Sequence, residues 1–458
     1  MNRNLRLLCC AAALALWSQG STSSAETIDA ASFGSARIDV PSGAPLSFVA
    51  LFSDETGWNA DDDHALAEIA RNGALAIGID TKVYLQNLQA NRKAVRQADC
   101  VDFFQDIEDL SRQVQARHPS PFYNLPIAAG LGEGGAIAYA ALAQAPIATL
   151  SAAISVNPTP TLEISRSLCR LDSFALDANG ARKLGSVTAL HGAWQAAFDG
   201  AAQPMARASV EALARGGVPV EITPMTGTDS RANLAALVER YMGAAAKRGV
   251  DTLPLVELPS DRPSRVMVVF VSGDGGWRDL DKTIGEKLQA LGVPVVGWDS
   301  LRYFWSRKTP EQTTADLTAI LAAYGAKWHA DKVALVGYSF GADVLPVVYN
   351  MLPAAYRERV AMISLLGLEP KADWEIHVAG WFGAPPSEAA TPLAPEFARI
   401  PAGLVQCYYG VEETDPGCRD LADKEMEVIQ TPGAHHFGQD YDAIVKDILD
   451  GLRRRSAF

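Results

Sequence analysis

Val333-Ala334-Leu335-Val336-Gly337-Tyr338-Ser339-Phe340-Gly341 decides how this chain reads. Four apolar residues suited to a buried parallel strand run into G-x-S-x-G. Ala342-Asp343-Val344-Leu345-Pro346-Val347-Val348-Tyr349 then continues as a helix. A strand, a sharp turn bearing serine and a helix make the nucleophile elbow of α/β-hydrolases, in which the turn lifts the hydroxyl above the sheet. The flanking glycines are needed because helix and strand pass close together there. Ser339 is the expected nucleophile.

A serine hydroxyl needs a base to take its proton, and the base needs an acid to hold its tautomer. In this fold the chain order is Ser, then acid, then His. The strand-like Gly403-Leu404-Val405-Gln406-Cys407-Tyr408-Tyr409 is followed by Glu412, Glu413 and Asp415. Asp415 is the favoured acid and Glu413 the alternative. After the strand Met426-Glu427-Val428-Ile429 comes Thr431-Pro432-Gly433-Ala434-His435-His436-Phe437. A base placed just before an aromatic residue in a Gly-led loop selects His436, with His435 as the alternative. The oxyanion formed in acyl transfer needs backbone N–H donors. Phe340 supplies one by position. The Gly-rich Ser272-Gly273-Asp274-Gly275-Gly276 supplies the second, with Asp274 favoured over Gly273 or Gly275. That loop lacks the Gly-Lys-Ser/Thr ending of a phosphate loop.

Working outward, the chain contains itself twice. Phe48-Val49-Ala50-Leu51-Phe52-Ser53 leads to Trp58, as Met267-Val268-Val269-Phe270-Val271-Ser272 leads to Trp277. Trp58 to Asp80 and Trp277 to Asp299 have the same spacing, and Tyr84 corresponds to Tyr303. Ile127-Ala128-Ala129-Gly130-Leu131-Gly132-Glu133-Gly134-Gly135 aligns with the elbow and puts Gly132 where Ser339 stands. Val220-Glu221-Ile222-Thr223-Pro224 aligns with Val428-Ile429-Gln430-Thr431-Pro432, after which Gly227-Thr228 replace the histidines. Alternating strand and helix signals through both copies predict two tandem α/β-hydrolase-like domains with mostly parallel sheets, the first catalytically degenerate. The proline-spaced Leu253–Ser264 places the split near residue 250, giving 26–250 and 251–458.

The chain has 458 residues and a formal charge of −13, an acidic balance that argues against nucleic acid as a partner. Arg3 and Arg6, an apolar stretch from Leu7 to Trp17, and small residues Ser23 and Ala25 read as an export signal spanning 1–25. No later stretch reads as a transmembrane span. Four cysteines remain beyond the signal, and an even number in an exported chain permits disulfides. The pairing that respects the domain split is Cys100 with Cys169 and Cys407 with Cys418. No Cys or His cluster suggests a metal, and no cofactor is called for.

The second half resembles the VirJ/AcvB family of exported bacterial proteins, and the whole chain resembles its longer, two-domain form. The resemblance is carried by Ser272–Trp277, by Gly297-Trp298-Asp299-Ser300-Leu301-Arg302-Tyr303-Phe304-Trp305, by the elbow and by Gly433–Phe437. It implies a periplasmic serine hydrolase that removes the aminoacyl group from aminoacylated phosphatidylglycerol, notably the lysyl form. It also implies links to virulence and type IV secretion, with secretion-system proteins as possible partners. A cationic lysyl headgroup would favour nearby acids, with Asp274 and Asp343 the candidates by position. Tyr303, Phe304, Trp305, Trp381 and Phe382 are candidates for a pocket wall or a lipid contact, with core packing as the plainer role. The competing functions are a generic esterase or thioesterase, and a non-catalytic secretion chaperone or scaffold.

Overall fold

The computed structural model describes residues 26–90, 100–200, 204–225, 227–245, 253–376, 387, 389–414 and 417–455. The expected export signal and the expected split near residue 250 lie outside the described residues, as do Trp381 and Phe382.

In the first half the strands are β1 Glu26–Asp29, β2 Ser35–Asp39, β3 Ser47–Phe52, β4 Ala74–Ile79, β5 Pro126–Leu131, β6 Ala152–Val156, the short pair β7 Thr161–Leu162 and β8 Arg182–Lys183, β9 Ala193–Phe198 and β10 Glu221–Pro224. Its helices are α1 Ala60–Arg71, α2 Thr81–Ala90, α3 Phe103–Gln115, α4 Gly132–Gln144, α5 Pro204–Arg215 and α6 Ser230–Ala245. The second half contains β11 Leu255–Leu258, β12 Val266–Val271, β13 Val295–Trp298, β14 Lys332–Tyr338, β15 Val360–Leu366, the short pair β16 Lys371–Ala372 and β17 Thr391–Pro392, β18 Val405–Gly410 and β19 Glu427–Thr431. Its helices are α7 Asp279–Ala290, α8 Ser300–Tyr303, α9 Pro310–Lys327, α10 Phe340–Met351, α11 Ala354–Arg357, α12 Ala394–Phe397 and α13 Tyr441–Arg454.

Two large, separate sheets result, beside the two short pairs. The first runs β1-β2-β4-β3-β5-β6-β9-β10 and the second β11-β13-β12-β14-β15-β18-β19. Without β1 the two orders coincide strand for strand. In each, an antiparallel strand (β2 on β4, β11 on β13) precedes parallel pairing. Such sheets need apolar cover on both faces, and their strands read as continuous hydrophobic runs. All six residues of β3, β4, β5 and β12 are buried. Each fully buried Val, Leu, Ile or Phe side chain contributes roughly 1.5–3 kcal/mol.

The equal Trp–Asp spacing has a physical cause. Asp80 accepts the Trp58 backbone N–H at 3.2 Å, and Asp299 accepts the Trp277 N–H. Each indole lies over a glycine of the next strand: a Cβ on Gly78 would stand 2.3 Å from Trp58, and one on Gly297 2.5 Å from Trp277. The loop before each Trp is pinned alike. Thr81 Oγ1 donates to the Ser53 carbonyl and Ser300 Oγ to the Ser272 carbonyl, both at 2.6 Å. The return bonds run from Thr81 N and Ser300 N to the Ser53 and Ser272 hydroxyls, at 3.1 and 2.9 Å. Tyr84 donates to Asp106 at 2.9 Å and Tyr303 to Asp316 at 2.5 Å. Both sheets are α/β-hydrolase sheets, built on one plan.

Disulfides join Cys100 to Cys169 and Cys407 to Cys418. Among the described residues no helix is long and apolar enough to cross a membrane.

Candidate active site

β14 ends at Tyr338 and α10 begins at Phe340, so Ser339 alone makes the turn. Its backbone has φ 51° and ψ −121°, a conformation that L-residues avoid. Such strain costs of order 1–3 kcal/mol and persists only where surrounding structure imposes it. Here the Ser339 N–H donates to the Leu366 carbonyl at 2.8 Å, which ties the turn to the end of β15. The close crossing behind it requires glycine: a Cβ on Gly341 would stand 2.1 Å from the Val271 carbonyl oxygen.

The residue after Leu366 carries the rest of the site. Gly367 has φ +69°, and a Cβ there would stand 2.6 Å from the His435 ring. His435 therefore lies over the end of β15, beside the strand that delivers Ser339, with the Tyr338 ring 5.3 Å away between centroids. His435 Nδ1 bonds Glu413 Oε1 at 2.6 Å. The other Glu413 oxygen accepts the Gly410 N–H at 3.0 Å, at the end of β18. With Nδ1 facing a carboxylate, Nε2 is left to accept a proton. Only 12% of the Glu413 side chain is exposed, so the carboxylate is shielded from water, while the His435 ring keeps one open side.

This differs from the sequence reading at the base, where the alternative His435 stands in place of His436. The expected base His436 has an exposed ring with no hydrogen bond among the described residues. The chain bends at Phe437 (φ 53°) and Gly438 (φ 61°) and turns His435 inward instead. Of the expected acids, Asp415 lies outside the described residues, and the contact to the histidine is made by Glu413, which curls back over its own strand end. The Cys407–Cys418 disulfide brackets that loop.

Gly273 packs against the serine: a Cβ on it would lie 3.6 Å from the Ser339 Cβ. The Gly276 N–H closes a turn onto the Gly273 carbonyl at 3.1 Å, and Asp274 occupies the second position of that turn. Phe340 opens α10, whose first amides have no partner within the helix and whose dipole favours negative charge. Its ring packs 4.8 Å from Phe304. Tyr303 and Phe304 are buried, so they are core rather than pocket wall. Asp343 is buried and accepts the Glu369 N–H at 2.8 Å. Burial pushes its carboxyl well above the usual range, and its place inside the core on the Glu369 amide makes it a structural group rather than an exposed anchor for a cation.

The first half keeps the elbow and loses the chemistry. Gly132 has φ +51°, the angle of Ser339. Glu55, the counterpart of Asp274, turns its carboxylate onto this elbow. Glu55 Oε2 accepts the Glu133 N–H at 3.3 Å and would lie 2.4 Å from any Cβ on Gly132. The amide that matches Phe340 is thus taken by an internal anion. A cavity of about 230 Å³ remains above it, lined by Asp54, Glu55, Asn157, Ser230 and Arg231 among others. Arg231 is held there by Asp62 at 2.6 Å and Asp54 at 3.1 Å.

Glu133 itself is buried, and burial raises its carboxyl from 4.5 to about 7. The folded chain therefore binds a proton there that the unfolded chain releases. Stability from this group is fully present below pH 4.5 and falls as pH rises through about 7. Urea unfolding at pH 5 and pH 7.5 will show the wild type losing stability between them, and Glu133→Gln will flatten that difference. An equal slope in both proteins would refute this.

The fold and the serine elbow define the class as α/β-hydrolase. Residues 265–456 match the family model described as bacterial virulence protein (VirJ). Among solved structures, Est1E from Butyrivibrio proteoclasticus with bound ferulic acid is 11% identical with a TM-score of 0.32, covering 44% of this chain and 94% of its own. An α/β serine hydrolase without lid from Xanthomonas campestris is 16% identical with a TM-score of 0.30, covering 44% and 88%. Proline iminopeptidase from Mycobacterium smegmatis is 10% identical with a TM-score of 0.33, covering 44% and 94%. The fold assignment rests on the strand order and the elbow described above. No curated protein matches the chain.

Proposed function

We propose that the chain is an exported, periplasmic serine ester hydrolase that cleaves the aminoacyl ester of aminoacyl-phosphatidylglycerol, the lysyl form by preference, in support of virulence and type IV secretion. The observation that carries the hydrolase reading is the convergence of the strained Ser339 and the Glu413-paired His435 on Leu366–Gly367. Ser339 Oγ attacks the ester carbonyl and passes its proton to His435 Nε2. The oxyanion takes the Phe340 N–H and a second amide from the Gly273–Gly275 turn, Asp274 being the favoured donor. His435 returns the proton to the departing glycerol oxygen, which leaves an aminoacyl-serine. Water, deprotonated by the same imidazole, then frees the amino acid and restores Ser339.

The substrate reading is what the resemblance to the VirJ/AcvB family implies, and charge agrees with it. Asp274 and Glu369 both lie within electrostatic reach of Asp343, one turn of helix after Ser339, and neither is buried. Two acids at the rim favour a cationic headgroup over an anionic one. The test is amino acid release from vesicles containing lysyl-phosphatidylglycerol, measured beside hydrolysis of p-nitrophenyl butyrate. Lysine release at least about tenfold faster, compared as kcat/KM, supports the headgroup reading. Ester hydrolysis without lysine release would leave a generic esterase.

A further inference from the structure

We infer that Glu108 of the first half is a positioning residue for the oxyanion loop of the second half, acting through Arg278. The inference rests on Ser339 being the nucleophile. Glu108 lies on α3 with its side chain only 3% exposed. A carboxylate so buried needs compensation. Arg112 supplies some from within α3, its Nη2 donating to Glu108 Oε1 at 2.9 Å. The same oxygen accepts Arg278 Nη2, across the junction of the two halves.

Arg278 immediately follows Trp277, so Glu108 holds the downstream end of the Ser272–Trp277 loop. The upstream end is fixed by Ser300, and Trp277 by Asp299, all within the second half. The tether is reinforced beside Glu108. The Tyr123 N–H donates to the Arg302 carbonyl at 3.1 Å, and the Tyr123 hydroxyl bonds Ser111 of α3 at 2.9 Å. Phe122 and Tyr123 pack on Tyr303 and Trp305 at 6.2 and 5.0 Å between ring centroids. Ser306 Oγ and Lys308 Nζ each donate to the Pro121 carbonyl at 2.8 Å. A narrow gap bounded by Glu108, Tyr123, Gly275, Gly276, Arg278 and Arg302 separates α3 from the loop. The loop is thus held between Ser339 on one side, through Gly273, and the first half on the other.

Glycines that let this loop aim its amides also leave it free to move. Oxyanion donors act by being fixed in advance, and a misplacement of about 1 Å is worth up to about a hundredfold in rate. The degenerate half then has a task that needs no nucleophile of its own: it closes the loop's open flank with a buried ion pair.

The experiment uses the full-length protein, labelled with a fluorophosphonate whose adduct is mapped by mass to the peptide containing Ser339. The inactivation rate is resolved into kinact and KI. Glu108→Gln will lower kinact about 10- to 100-fold and leave KI within about twofold, because oxyanion stabilisation is made only in the transition state. Arg278→Gln will do the same. The double variant will lose no more than either single one, since both cut one link. Should Glu108→Gln fail to fold by circular dichroism, Arg278→Lys keeps the charge, loses the guanidinium fork and will show the same loss in kinact alone. A wild-type protein that takes no label at Ser339 sinks the nucleophile reading and this inference with it. Label at Ser339 with unchanged kinact in the folded variants overturns the inference alone, as does additive loss in the double variant.

Discussion

Ser339→Ala will abolish ester cleavage, with kcat/KM down at least about ten-thousandfold, while the fold remains intact. The magnitude follows from the site's construction. The hydroxyl is the one group in the arrangement that forms a covalent bond to the acyl carbon, so nothing nearby can substitute for it. His435 and Glu413 would remain in place, but each acts only by moving or holding a proton. Alanine also fits the site sterically, because it keeps the Cβ and the backbone N–H that donates to Leu366. The unusual φ of 51° is imposed by that bond and by the crossing of Gly341 over Val271, not by the hydroxyl. Circular dichroism and urea unfolding should therefore superimpose on the wild type. Fluorophosphonate labelling checks the assignment from the other direction: the wild type takes one label per chain, at the Ser339 peptide. Label on the first half, or full activity in Ser339→Ala, would remove the elbow from the mechanism.

The expectation of a single label per chain follows from how the first elbow differs. Gly132 reproduces the backbone angle of Ser339 without a side chain, and Glu55 covers the amide that would hold an oxyanion. An incoming ester carbonyl would gain negative charge against a carboxylate already seated there. The first half is disarmed twice, once by loss of the nucleophile and once by an acid seated on the amide that an oxyanion would need.

The duplicated plan was legible in the sequence because its anchors are backbone devices with fixed spacing. A tryptophan over a glycine, an aspartate on the tryptophan amide and a hydroxyl pair across two strand ends all leave ordered residues in the chain. The elbow was legible for the same reason. What the sequence left ambiguous was which of several neighbouring side chains turns inward. His435 and His436 are equivalent by composition, and the choice is made by a bend at Phe437–Gly438 together with the space over Gly367. Gly367 is the signal that was missed: a glycine at the end of the strand beside the elbow leaves room for an imidazole. Glu413 and Asp415 are equally acidic, and Glu413 is the one that the described residues place on His435, with its second oxygen on the Gly410 amide. The Glu108–Arg278 link could not be read, because it joins residues of the two halves that share no motif.

The two histidines provide the sharpest test of that geometry. His435→Ala will lower kcat about ten-thousandfold, as removal of a general base from a serine triad does. His436→Ala will change kcat less than about threefold, because its ring is exposed and holds no hydrogen bond among the described residues. The acids follow the same logic. Glu413→Gln keeps the shape but places an amide beside Nδ1, which no longer favours the imidazolium formed as Ser339 gives up its proton. A loss of about a hundredfold to ten-thousandfold in kcat is expected, with KM little changed. Asp415→Asn will stay near wild type. The four variants are compared as kcat and KM on p-nitrophenyl butyrate, alongside the rate of labelling at Ser339. For the two histidines the sequence preference and the structure make opposite forecasts. If His436→Ala and Asp415→Asn are the crippled pair, then the 2.6 Å contact between His435 and Glu413 is not the catalytic one. The His-bearing loop would then have to turn over during reaction, carrying Phe437 out of the core to bring the other ring to Ser339.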